Sequence, residues 1–237
     1  MRIVSWNAYG ADETTLESLA QQLPKEQIDL CVLQETHKKD DSWYDPLRRI
    51  PGYGLVPALA ENESHTLLTG TLYPADNRET AYALSYKTAT VSLRGAPFLL
   101  DYTKDGYWGP KTPCDPFQAA EKGYNQRPPL VVPLTYNRKA VAVFNWHAPL
   151  KSANARALDM LSLSQTLAEA RKGAAILAGD FNNESVKAVF TGFAGLQQKN
   201  SKIDYILANT DLDKVDEIPG LNVYFGSHWA VAAAVSW

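Results

Sequence analysis

A chain of 237 residues can bury roughly 70–75% of its unfolded surface, and 45% hydrophobic with 21% charged residues is ordinary globular composition, which excludes a disordered or fibrous protein. A formal charge of −3 with a pI near 5.8 argues against a protein that holds nucleic acid by bulk positive charge. It leaves open an enzyme that engages a few phosphates locally.

No apolar run approaches the length of a membrane span. A strand begins almost at once, at Arg2, leaving no room for a signal peptide. The expectation is a soluble protein, either intracellular or a mature form whose leader has been removed. Cys31 sits inside the apolar run Ile28 to Leu33 and reads as a small buried hydrophobe, while Cys114 lies in a proline-rich loop. No disulfide and no cysteine-bound metal are expected from this pair.

In chain order, residues 2 to 6 read as a buried strand ending at Asn7. Leu16, Leu19, Ala20 and Leu23 recur at helical spacing, with Pro24 as the stop. Ile28 to Leu33 reads as a second buried strand carrying Gln34, Glu35 and Thr36 at its end. This strand, helix, strand succession points to a layered α/β fold. From Tyr53 to Leu93 the pattern changes to short strands (53–57, 67–73, 81–86 and 89–93), for which antiparallel pairing is expected, so the sheets should be mixed.

Residues 95 to 129 are the least regular, punctuated by glycine and proline; loops this long are more often functional or mobile than merely connective, and the aromatic residues in it either pack it down or form a substrate-facing wall. Leu130 to Thr135 and Ala140 to Trp146 read as a hairpin across Asn137-Arg138, ending at His147. A helix over residues 153 to 172, closed by Gly173, leads into the apolar run Ala174 to Ala178 and then Gly179-Asp-Phe-Asn182. A short helix at 184–190 and strands at 203–208 and 230–235 follow. No repeat or linker is visible, so residues 1–237 are expected to form one domain.

Polar residues gather where the strands end, at Asn7, Glu35, His147 and Asp180 with Asn182; His228 stands near the last strand, and Asp204, at the start of its own, belongs with them. Separately each has an innocent explanation, such as a solvated turn carboxylate or a structural histidine. Jointly they would place carboxylates, carboxamides and two imidazoles at one sheet edge. Metal-assisted attack on a phosphate ester needs that set: oxygen ligands for a hard cation, a base for water and donors for the phosphoryl oxygens.

Trp6-Asn7, Gln34-Glu35, Arg127-Pro128, Asn145-Trp-His147-Ala-Pro, Gly179-Asp-Phe-Asn182, Ile203-Asp204-Tyr and Ser227-His228 occur in the order and rough spacing of the endonuclease/exonuclease/phosphatase superfamily, which the whole chain resembles. The resemblance implies a deoxyribonuclease I-like fold, a four-layered α/β sandwich of two mixed, mainly antiparallel β-sheets packed face to face with helices outside. It also implies a metal-dependent phosphodiesterase using Mg²⁺, with Mn²⁺ or Ca²⁺ as alternatives. Glu35 resembles the principal metal ligand, with Asn7 beside it, and Asp180 and Asn182 the pair that positions water, a second cation or the phosphate. His228 resembles the general base oriented by Asp204, and His147 the second histidine, on the phosphate or leaving group.

Two details resemble the branch of deoxyribonuclease I and the distending-toxin catalytic subunit. Glu79 stands where that branch pairs a glutamate with its first catalytic histidine, here His147, and Arg127 stands where it grips a phosphate. The substrate implied is nucleic acid, double-stranded DNA first, cut by a monomer or by the catalytic subunit of a larger assembly to leave a 5′-phosphate and a 3′-hydroxyl.

One departure stands out: Ser227 occupies the place of the aspartate in the family's Ser-Asp-His. A hydroxyl holds a cation only as a neutral ligand or through water, so metal affinity should fall. Two further readings follow: a lipid- or inositol-phosphate esterase with the same chemistry, and a relative that has lost catalysis and binds or scaffolds.

Overall fold

The computed structural model describes residues 1–37, 41–60, 80–99, 129–148, 174–186, 193–197, 202–209, 214–217, 224–225 and 228–236. The first sheet is built from β1 (Arg2–Asn7), β2 (Leu30–His37), β3 (Tyr53–Ala60), β4 (Thr80–Lys87), β12 (Lys214–Glu217) and β15 (Val231–Ser236), in the order β12-β15-β1-β2-β4-β3. The second contains β5 (Val91–Leu93), β6 (Phe98–Leu99), β7 (Leu130–Tyr136), β8 (Lys139–His147), β9 (Ala174–Asp180), β10 (Phe193–Gln197) and β11 (Asp204–Asn209), in the order β10-β11-β9-β8-β7-β5, with β6 also on β7. A two-stranded ribbon joins β13 (Tyr224–Phe225) to β14 (His228–Trp229).

Each sheet has one parallel pair among antiparallel neighbours, β1 with β2 and β8 with β9. The two sheets face each other through an apolar cluster that draws Ile3, Leu30, Val32 and Leu84 from the first and Val132, Val143, Ile176 and Ile206 from the second. This is an α/β sandwich of two mixed, mainly antiparallel sheets, as expected.

Helix α1 (Glu13–Lys25) lies over the outer face of the first sheet together with the short α2 (Asp45–Arg48). Asp12 caps α1, its carboxylate accepting from Thr15 N–H at 2.8 Å. Leu16, Leu19 and Leu23 are fully buried, each contributing roughly 1.5–3 kcal/mol. Pro24 does not stop the helix. It lies in the last turn, where it forfeits a single main-chain bond, and Glu26 N–H still reaches the Gln22 carbonyl at 2.9 Å.

The hairpin between β7 and β8 turns at Asn137 and Arg138, both at positive φ (46° and 70°), the two-residue turn that matches strand twist. Every residue of β9 is buried, which is why its sequence is a continuous apolar run and does not alternate. Strands β6, β10, β12, β13 and β14, the 3-10 turn at Asp41–Tyr44 and α2 are additions to the sequence expectation. Ala194 and Gly195 in β10 have little intrinsic strand preference, and pairing with β11 decides their state. The expected strand at 67–73 and helix at 153–172 lie outside the described residues, as do all but the first turn of 184–190.

Candidate active site

The ends of both parallel pairs meet at one edge of the sandwich. In the second sheet the register sets His147 beside Asp180, and Asp180 beside Asp204 on the antiparallel β11, so three chemically active residues form one row. In the first sheet Asn7 pairs in register with Gln34, next to Glu35. His228 arrives from β14, just before β15.

Gly179 makes the row possible. Its φ of 153° suits only glycine, and a Cβ there would overlap the Trp146 carbonyl oxygen across the parallel pair. Phe181 then turns into the apolar layer, fully buried, with its ring 5.4 Å from that of Trp146 and 5.7 Å from that of Tyr205. Anchoring the phenylalanine fixes the polar residues on either side of it.

Asp180 is the centre of the arrangement and is only 2% exposed. Its Oδ1 accepts the Asn182 N–H at 2.9 Å, the local turn bond a purely structural aspartate would also make. Its Oδ2 accepts from Asn7 Nδ2 at 3.0 Å, across the gap between the sheets. The same oxygen lies 3.8 Å from His147 Nε2 and 3.8 Å from His228 Nδ1. Asn182, at φ 50°, sends its side-chain amide to the Ala148 carbonyl at 2.7 Å and thereby ties down the chain leaving β8.

His228 Nδ1 is 3.2 Å from Asp204 Oδ2. A carboxylate can only accept, so Nδ1 carries the proton and Nε2 is left as the basic nitrogen. Burial pulls the His228 pKa down, but the hydrogen bond and charge of Asp204, then Asp180 and Glu35, outweigh it and hold the imidazole above its ordinary value. Asp180 moves the same way for different reasons. Burial first, then the Asp204 carboxylate, raise it above the usual carboxylate range, while both histidines pull it down.

Glu35 sits in a bulge of β2, where Gln34 and Glu35 together stand opposite Tyr82 of β4, and its φ is 51°. The bulge brings Glu35 Oε1 to 3.4 Å from His147 Nδ1. His147 is thus flanked by carboxylates on both ring nitrogens, with Asp180 on the other. Its own N–H is held by the Tyr82 hydroxyl at 3.1 Å. Tyr82, Gly179, Gln34 and Asn145 support the site from within the core; a tyrosine amid apolar residues and a bare glycine carry no sign of this in the sequence.

The donor set suits a hard divalent cation. Asp180, Asp204 and His228 offer ligand atoms within 4.8 Å of one another, and the Asp204 carboxylate adds to burial in raising the Asp180 pKa, a crowding of negative charge that a cation would relieve. His228 Nδ1 is engaged by Asp204, so the carboxylate oxygens are the hard ligands this cluster offers. The structure therefore brings together Asn7, Glu35, His147, Asp180, Asn182, Asp204 and His228. Glu79, Arg127 and Ser227 lie outside the described residues.

The sequence matches the model of the endonuclease/exonuclease/phosphatase family over residues 4–222, and the chain belongs to that family, whose members are metal-dependent hydrolases of phosphoester bonds. Among solved structures it is similar to the mannosyl-6-phosphatase of Bacteroides thetaiotaomicron, at 14% identity and a TM-score of 0.66, with 100% of each chain covered. It is also similar to TDP2 of C. elegans (14% identity, TM-score 0.65, covering 100% of this chain and 75% of that one). D. rerio TDP2 bound to a single-strand DNA product is alike at 13% identity and a TM-score of 0.61, covering 98% of this chain and 97% of that one. At such identities the likeness is one of fold. No curated protein matches the sequence. No helix among the described residues is long and apolar enough to cross a membrane.

Proposed function

We propose that this chain is a single-domain, Mg²⁺-dependent phosphodiesterase acting on nucleic acid, as a deoxyribonuclease I-like endonuclease. The observation that carries the reading is the row His147, Asp180, Asp204 with His228 bonded to its end. That row supplies a base, a second imidazole and cation-binding carboxylates at one point. The fold-level likeness to TDP2 holding a DNA product favours a polynucleotide.

Glu35 and Asp180, with Asn7 beside them, are the residues that would hold the cation, and Ser227 is an expected neutral ligand. A bound divalent cation supplies neutralisation of charge on the phosphoryl oxygens. His228, held by Asp204, takes a proton from water at Nε2 as the water oxygen bonds to phosphorus. Asn182 and Arg127 orient the phosphate. The bond from phosphorus to the 3′ oxygen breaks, and His147 returns a proton to that oxygen, leaving a 3′-hydroxyl and a 5′-phosphate. Glu35 on Nδ1, with Glu79 as a further candidate, orients His147.

Plasmid nicking with Mg²⁺, with and without chelator, tests this directly. His228→Ala and His147→Ala are each expected to slow nicking by about 10²–10⁴-fold. Nicking by both variants at the parent rate, or none by the parent, removes the proposal. The likeness to a mannosyl-6-phosphatase favours one other reading, in which the same groups cleave a sugar phosphate monoester. Release of inorganic phosphate from hexose 6-phosphates, with plasmid left intact, would select it.

A further inference from the structure

Between the sheets, apolar packing gives way near the site to a small buried polar group: Ser5, Gln34, Ser85 and Asn145 are each at most 1% exposed. Asn145, on β8, donates from Nδ2 to the Leu33 carbonyl at 2.9 Å and to the Ala83 carbonyl at 3.3 Å. Leu33 and Ala83 are the last register pair before the bulge that carries Glu35. Those two carbonyls fix which way the Asn145 amide points, so its Oδ1 must face Gln34. Gln34 Nε2 meets that oxygen at 2.6 Å and Ser5 Oγ at 3.2 Å.

We infer that Gln34 and Asn145 are positioning residues, a directional amide clamp between the sheets that sets Glu35 of one against His147 of the other. Glu35 follows Gln34 by one residue and His147 follows Asn145 by two, so the clamp sits at the root of both. Apolar contacts between two sheets are non-directional and tolerate small slips; hydrogen bonds to named carbonyls do not. The pair is not built for stability alone. Gln34 Oε1 is buried with no hydrogen-bond partner among the described residues, a cost a purely structural contact would shed. The Tyr82 hydroxyl on the His147 N–H pins the same bulge from its other strand.

The kinetic part of the test rests on the phosphodiesterase reading, so a second readout is independent of it. Three variants are compared with the parent: Gln34→Met, Asn145→Leu, and the double Gln34→Met/Asn145→Leu. Each is followed by thermal unfolding, by kcat and KM on DNA, and by the ring ¹⁵N shifts of His147 in metal-free protein. Replacing both amides by apolar groups should return part of the stability lost in either single variant. It should not return the geometry: kcat stays down by about 100-fold with KM little changed, and the His147 shifts stay displaced. If the double variant regains kcat and native His147 shifts along with its stability, the amides are only structural and the inference is overturned. If the parent cuts no DNA, the functional proposal falls while the His147 shifts still judge the clamp. Should a single variant fail to fold, the double variant carries the test.

Discussion

Asp29 and Asp180 are both buried carboxylates at opposite ends of the same sandwich, and they do different things. Asp29 accepts the Arg2 N–H at 2.8 Å on one oxygen and the Thr90 hydroxyl at 2.6 Å on the other, and the Tyr136 hydroxyl also bonds to it. Asp180 is equally well bonded, to Asn7 and Asn182. Hydrogen bonds therefore do not separate them. What separates them is the Asp204 carboxylate beside Asp180 in register, with two imidazoles 3.8 Å away. Asp29 ties loop to sheet; Asp180 concentrates charge that a cation and a phosphate can use. Both acids are buried and satisfied, so the mark of the functional one is the second carboxylate beside it with two imidazoles in reach.

The sharpest way to break this contrast is to remove each acid. Asp180→Ala should lower kcat by about 10³-fold with little change in unfolding midpoint, since relief of repulsion offsets the lost bonds. Asp29→Ala should leave kcat of the folded protein intact and cost about 1–3 kcal/mol in urea melts, because its donors are left buried and unpaired. Equal losses of activity in both would erase the distinction.

Metal linkage sharpens it next. Mg²⁺ at 100 times its Kd should stabilise the parent by about 2.7 kcal/mol in thermal melts, and chelation should reverse this. Asp29→Ala should keep the increment and Asp180→Ala should lose most of it.

The pH dependence of metal-free protein gives a smaller effect with a defined sign. The folded pKa of Asp180 lies above its ordinary 3.8, so between these values the folded state binds the proton more tightly. Stability should therefore fall as pH rises through that window, and Asp180→Ala should flatten this contribution. His228, raised above 6.5, contributes stability that is complete below 6.5 and lost as pH rises through its folded value. In NMR titration of metal-free protein His228 should titrate above 6.5, and Asp204→Asn should bring it down. An unmoved midpoint in that variant would detach His228 from Asp204.

Much of the site was legible because strand chemistry repeats a simple rule, polar groups directly after apolar runs, at Asn7, Glu35, His147 and Asp180. Asp204 begins its strand and so falls outside that rule; it joined the set as one more carboxylate, and only the family resemblance gave it a role beside His228. Gln34 and Asn145 stood in the motifs without a role, because a hydrogen bond between them spans 111 residues and no local pattern encodes it. Asp29 adjoins an apolar run just as Asp180 does; only the place at the run's end and the motif Gly179-Asp-Phe-Asn182 set Asp180 apart in the sequence.

Alone, then, the sequence determined most of the strands, the helix after β1 and the inventory of acids and imidazoles, all properties of short-range periodicity and composition. Tertiary structure decided which of those groups meet. Register across β8, β9 and β11 made a row of His147, Asp180 and Asp204, and the bulge in β2 aimed Glu35 at His147. Pairing between distant strands is set by packing the whole sandwich, and charge becomes chemistry only once that packing brings like charges together out of water.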